Sequence, residues 1–134
     1  EEALELAELG ESAHQAAYAS INLMSNATRR GDYAKGATMA ARSLDFAKHS
    51  PHAAIACHLS LAVCAFGLSD PSAPGAWETA RAALTAEHTP ENDFAELLER
   101  IVELAPPSIA TQASALLDRE RALLRRNPGG LPTS

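Results

Sequence analysis

The sequence predicts an all-α fold, and three observations predict it. Alanine supplies 29 of the 134 residues while aromatics make up only 4%, a composition of strong helix formers whose small side chains let helix axes approach closely. A sheet protein would instead be rich in Val, Ile, Thr and aromatics. Apolar residues recur at spacings of three and four, and Gly and Pro punctuate the chain into segments of helical length. A chain this long forms one domain and buries about two thirds of its unfolded surface, without needing a disulfide or a metal.

The first helical segment covers residues 2–30 and is interrupted at Gly10. Ser12-Ala13-His14-Gln15 has capping-box spacing, so a new helix starts there. Ala16, Tyr18, Ala19, Leu23 and Ala27 mark its buried stripe. Arg29 and Arg30 suit the negative helix end, and Gly31 suits the position just beyond it. The second helix spans residues 32–49, with Asp32 as N-cap and Tyr33, Ala37, Ala40, Leu44 and Ala47 inward. Ser50-Pro51 is an N-cap followed by proline at the first helical position. The third helix, residues 51–66, is apolar almost all round, with Ile55, Leu59, Ala62, Val63 and Phe66 buried, and is therefore central. Two prolines make residues 68–74 a loop. The fourth helix, residues 74–87, turns Trp77, Ala80, Ala83 and Leu84 inward. Thr89-Pro90 repeats the cap-then-proline start and opens a fifth helix, residues 90–105, carrying Phe94, Leu97, Leu98, Ile101 and Leu104. Pro106-Pro107 ends it. The sixth, residues 107–126, carries Ile109, Ala113, Leu116, Leu117, Leu123 and Leu124. Residues 1–126 form the domain, and 127–134 form a flexible tail.

Two stretches match each other. Gly31-Asp32-Tyr33-Ala34-Lys35-Gly36 and Gly75-Ala76-Trp77-Glu78-Thr79-Ala80 both read as glycine, a short residue, an aromatic, then a small residue three further on. Each opens the second helix of a hairpin that ends before Ser/Thr-Pro. The aromatic is expected to wedge between the helices of its own hairpin. Gly36 and Ala80 are expected where those helices cross most closely.

The run Leu23…Gly31-Asp32-Tyr33-(x2)-Gly36…Ser43-Leu44…Pro51 resembles the tetratricopeptide repeat. Gly36 stands where that family has its tight-crossing alanine, Ala40 where it has a large aromatic, and Leu23-Met24 where it has Leu-Gly. Residues 13–51 match one repeat, and residues 51–90 match a second with a lengthened turn. Residues 90–126 keep the helix-turn-helix shape. The structural repeat positions are Gly31, Tyr33, Gly36, Leu44, Gly75, Trp77, Ala80 and Leu84. The resemblance implies a short right-handed solenoid of five to six helices in stacked antiparallel hairpins, with a partner peptide held on the concave face by first-helix residues.

Composition narrows the function. The net charge is −6, which opposes phosphate binding although Arg119, Arg121, Arg125 and Arg126 cluster near the end, so no direct nucleic-acid contact is expected. No run of apolar residues has membrane-spanning length, and Glu1-Glu2 is no signal-peptide start. Arginine outnumbers lysine by 9 to 2, a bias that reads as bacterial. Cys57 and Cys64 lie about 10 Å apart along one helix, too far to pair, and read as buried thiols in a reducing, cytoplasmic setting. The acceptor triplet Asn26-Ala27-Thr28 falls inside a helical pattern, which argues against glycosylation there.

Catalytic and metal signatures are missing from the pattern. His49 and His52 straddle the Ser50-Pro51 junction, and Cys57 and His58 point about 100° apart on a helix. No CxxC, HxxxH or HExxH occurs, so neither metal nor cofactor is expected. Glu96, Glu99 and Glu103 read as a solvated face, and Glu11-Ser12-Ala13-His14 is a single Glu-x-x-His string where a di-iron bundle needs two. The informative polar residues are Asn22, Asn26 and Arg29, spaced four and three along the first hairpin, with His58 and Ser60 on the third helix. Asparagine amides can clamp a peptide backbone. The sequence thus reads as a non-catalytic protein-interaction module, the regulatory or scaffold part of a bacterial protein, with Asn22, Asn26, Arg29 and His58 contacting the partner. The alternative is a closed bundle that senses a ligand or dimerises within a transcriptional regulator, around Leu59, Val63, Phe66 and Trp77. The sixth helix carries enough leucine to pair with a second copy.

Overall fold

The computed structural model describes residues 12–47, 50–85 and 88–126. Gly10, His49 and the tail fall outside them, as do the side chains of Ala16, Tyr18 and Ala19. Among the described residues there are six helices: α1 Ser12–Arg29, α2 Tyr33–Phe46, α3 Pro51–Gly67, α4 Ala73–Thr85, α5 Asn92–Leu104 and α6 Pro107–Arg126. The all-α expectation and the helix order hold to within a few residues at each boundary. α3 is central, as its all-round apolar character required: α1, α2, α4 and α5 all pack on it, while α6 packs on α5 and along a short stretch of α4. The third hairpin meets the second through α5 on α3.

Each helix end has a local cause. Gly31 takes φ +79 beyond α1, and the amides of Gly31 and Asp32 bond back to Thr28 and Ala27 at 3.1 and 2.9 Å, a Schellman ending. Asp32 occupies the α2 N-cap position, but its side chain makes no capping bond. Ser50 does cap α3, its Oγ accepting from the Ala53 amide at 3.3 Å, with Pro51 in the first turn. α3 ends as α1 does. Ser69 adopts φ 56, and Ser69 and Asp70 donate to Phe66 and Ala65 at 3.1 and 2.8 Å. The partner of Gly31-Asp32 in the second hairpin is therefore Ser69-Asp70. Gly75 instead lies exposed in the first turn of α4 with open space where a Cβ would stand. The repeat expected at Gly75 is corrected to Ser69, because the left-handed position favours glycine without demanding it.

The inward faces follow from one close approach. A Cβ built on Gly36 would meet Cys64 Sγ on α3 and Thr28 Oγ1 on α1, both at 2.8 Å. Gly36 is thus a tight crossing, with a neighbour on each side. The Tyr33 ring covers Gly67 of α3, leaving no room for a side chain there, so the aromatic packs on the next hairpin. These two contacts fix the antiparallel register of α2 on α3. That register brings Ala40 level with Ser60, Ser43 level with Cys57, and Ala47 level with Ala53, and all six are buried. On α1, Thr28 and Met24 turn inward at 0% exposure while Leu23 is 54% exposed, which corrects the expectation that Leu23 lies on the buried stripe. Trp77, Ala80 and Leu84 are buried as expected, but the Trp77 indole donates to Gln112 Oε1 of α6 at 2.7 Å and so joins the second hairpin to the third. Leu44 is half-buried.

Gly36→Ala is expected to destabilise by about 1–3 kcal/mol despite the better helix propensity of alanine, because Thr28 and Cys64 are both backed by buried structure. Gly75→Ala, with open space around it, is expected to be neutral or to stabilise by up to about 1 kcal/mol. Urea unfolding of the two variants checks both signs, and equal shifts would remove the crossing at Gly36.

Candidate functional site

Two arrangements of polar side chains stand out, one on the outside of α1 and one buried at the junction of α3, α5 and α6. The first exists because α1 is locked in rotation by Thr28 and Met24. The Thr28 hydroxyl donates to the Met24 carbonyl at 2.9 Å and lies 3.6 Å from Cys64 Sγ. With that face inward, Asn22, Leu23, Asn26, Arg29 and Arg30 are left exposed. The Asn22 and Asn26 amides make no hydrogen bond with the described residues. On α3 the half-exposed strip is Ala54, His58 and Leu61, spaced four and three and so on one face. Burial lowers the His58 pKa below its ordinary value, so its neutral imidazole, one donor and one acceptor, is the favoured form.

Arg29 is committed within the chain. Its guanidinium pairs with Asp93 of α5 and, through Nε at 3.0 Å, with Glu96. Arg100 returns the contact by donating to the Arg29 carbonyl at 2.9 Å, satisfying an open carbonyl at the end of α1. Glu99 pairs with Arg121 of α6. The carboxylate row of α5 is exposed as expected, and it also reaches α1 through Glu96 and α6 through Glu99. Of the sequence-selected residues, Asn22 and Asn26 share an exposed face, Arg29 bridges it to α5, and His58 belongs to the α3 strip.

The second arrangement was not legible as a site. Glu120 of α6 is 2% exposed. Its Oε1 meets His88 Nε2 at 2.8 Å, and its Oε2 accepts from the Glu91 amide at 2.9 Å. Glu91 is the N-cap of α5 and offers no side-chain cap of its own, so Glu120 supplies from another helix what the expected Thr89 cap does not. The Glu91 carboxylate in turn holds His52 Nε2 at 2.6 Å. Both imidazoles flank Phe94, with centroids 5.1 and 5.9 Å away. His88 is therefore an interior residue, with 5% side-chain exposure. One signal was present: Glu120 continues the buried stripe Ala113, Leu117 at helical spacing, a carboxylate where a leucine would be ordinary.

Among the described residues no group of three or more His, Cys, Asp and Glu is arranged to hold a metal ion. Cys57 and Cys64 are free and buried. Burial pushes the Cys57 thiol up to about 11. Cys64 is also raised, by burial first, with its Thr28 contact opposing and the Asp32 charge adding. Neither sulfur is poised as a thiolate nucleophile. The chain matches no protein-family model, no curated protein and no solved structure.

Two outcomes are expected. The native protein should resist thiol-directed reagents at pH 8 and react at both cysteines on unfolding; fast native modification would contradict the burial of α3. Because the folded-state pKa of His58 is lowered, the unfolded chain takes up the proton first. Stability should therefore be fully present above the ordinary histidine value of 6.5 and decline as the pH falls through it. Thermal melts of His58→Gln should show a shallower decline over that range than the parent, and identical slopes would refute it.

Proposed function

We propose that this chain is a non-catalytic protein-interaction module that receives a peptide or partner domain on the outer face of α1 and the adjoining strip of α3. The observation that carries the reading is Leu23, 54% exposed, set between Asn22 and Asn26, whose amides are unspent within the described residues. A projecting apolar side chain beside these amides suits a partner that brings both a small apolar contact and a backbone to pair with. The chemistry of the other groups supports it: the thiols are buried with raised pKa values, and Asp93, Glu96, Glu99 and Glu120 meet Arg29, Arg121 and His88. The likeness of residues 13–51 to a tetratricopeptide repeat agrees with such a role, in a regulatory or scaffold protein of a bacterial cytoplasm. No described helix is long and apolar enough to cross a membrane.

A second reading has its own support. Four helices surround α3, and Arg29 ties the first hairpin directly to the third. Those features suit a bundle closed on one core that pairs with a second copy through α6.

One experiment separates the two. Asn22→Ala/Leu23→Ala/Asn26→Ala should melt at the parent temperature yet lose at least tenfold in affinity for the protein that the parent captures, measured by titration. Unchanged affinity would remove the α1 face. Sedimentation that shows a concentration-dependent dimer, insensitive to the triple change, would favour the bundle.

A further inference from the structure

α6 is anchored differently from α5, its hairpin partner. Over its 20 residues only Ala113, Leu117 and Glu120 are buried, whereas α5 buries five apolar residues over 13. A helix with so little apolar burial is held less firmly than the core it rests on. Ile109, Leu116 and Leu124 rest half-buried on that core, and the other attachments of α6 are polar. Gln112 accepts from Trp77, and Arg121 meets Glu99 with both side chains near half exposed, a kind of pair that contributes little in water. Glu120 differs, because its pair with His88 is at 3% and 5% side-chain exposure and its second oxygen takes the Glu91 amide. That amide opens α5, where the helix dipole and an open donor both favour negative charge. Removing the carboxylate takes one contact from the His88 imidazole and leaves the Glu91 amide without its acceptor.

We propose that α6 undocks as a unit while α1–α5 remain folded, and that Glu120, seated in a carboxylate-accepting cradle of His88 Nε2 and the Glu91 amide, is the latch that sets how often it does so. The extended Ala105 at ψ 159, followed by Pro106 and Pro107, breaks the two helices apart and marks where the opening begins. With α6 away, Trp77 loses its acceptor and the cradle is empty.

The test is native-state hydrogen exchange on the full chain. In the parent, α6 amides should exchange at least tenfold faster than the slowest amides of α3. Glu120→Ala should speed α6 a further tenfold or so, the loss of about one buried charged contact, with α1–α4 unchanged. Sodium formate, a free carboxylate small enough for the vacated cradle, should restore part of the α6 protection in Glu120→Ala, while sodium chloride at equal ionic strength should not. Equal rates for α6 and α3 in the parent would overturn the proposal without any variant. So would an even loss of protection across all helices in Glu120→Ala, or its global unfolding, or equal effects of formate and chloride.

Discussion

The seating of α2 between α1 and α3 rests on the missing side chain at Gly36. Gly36, Ala40, Ser43 and Ala47 form a stripe of small residues along α2, all buried, and Gly36 has a neighbour within van der Waals reach on either side. Closely approaching helices gain many dispersion contacts at once. The gain offsets a visible cost, since Ser25, Ser43 and Ser60 are buried with hydroxyls that no described group satisfies. An unpaired buried hydroxyl costs about 1–3 kcal/mol. Serine here acts as a small residue, placed for its volume rather than for its hydrogen bond.

The crossing also decides what the surface offers. Once Thr28 and Met24 are turned toward Gly36 and Cys64, helical geometry leaves no freedom over Asn22, Leu23 and Asn26, each about 100° per residue further round. The exposed leucine is thus a consequence of interior packing. A rotation of α1 by one residue would bury Leu23 and expose Met24, exchanging a flexible thioether contact for a stiffer γ-branched one. The same approach fixes the end of α1, so that the Arg29 carbonyl faces Arg100 and the Arg29 side chain reaches Asp93 and Glu96.

Legibility divided along the same line between local and distant causes. Ser50-Pro51, Gly31 and Pro106-Pro107 are local punctuation, and the helix boundaries they mark agree with the structure. Leu23 was misplaced because Leu23 and Met24 are adjacent apolar residues that both fit a period of 3.6, and only the position of Gly36 in space separates them. Gly75 was misplaced because the left-handed position is a backbone state, and Ser69 adopts it. Thr89-Pro90 carries no local sign that the acceptor at the start of α5 lies on α6, at Glu120. Arg29 and Asp93 are 64 residues apart, and His88 and Glu120 are 32 apart, distances over which a single sequence carries no register. The buried carboxylate alone left a trace, as an acid on an apolar stripe.

Those distant pairs are of two physical kinds, and the difference orders the molecule. Arg29 with Asp93 and Glu96 lies in water at roughly half exposure, where ionic screening weakens attraction and the net contribution is small. It orients α1 against α5 without deciding whether either is folded. Glu120 with His88 is dry, where removing the carboxylate costs more than it would in water. A dry pair is all-or-none in a way that a wet pair is not. The first hairpin is therefore held by shape, through a crossing that tolerates no added atom. The third is held by apolar packing and by one buried polar contact that a single carboxylate completes. Packing of the first kind resists opening everywhere along its length, whereas a contact of the second kind concentrates its effect at one point. For that reason α6, with two fully buried apolar residues beside its one buried acid, is where the proposed opening is placed.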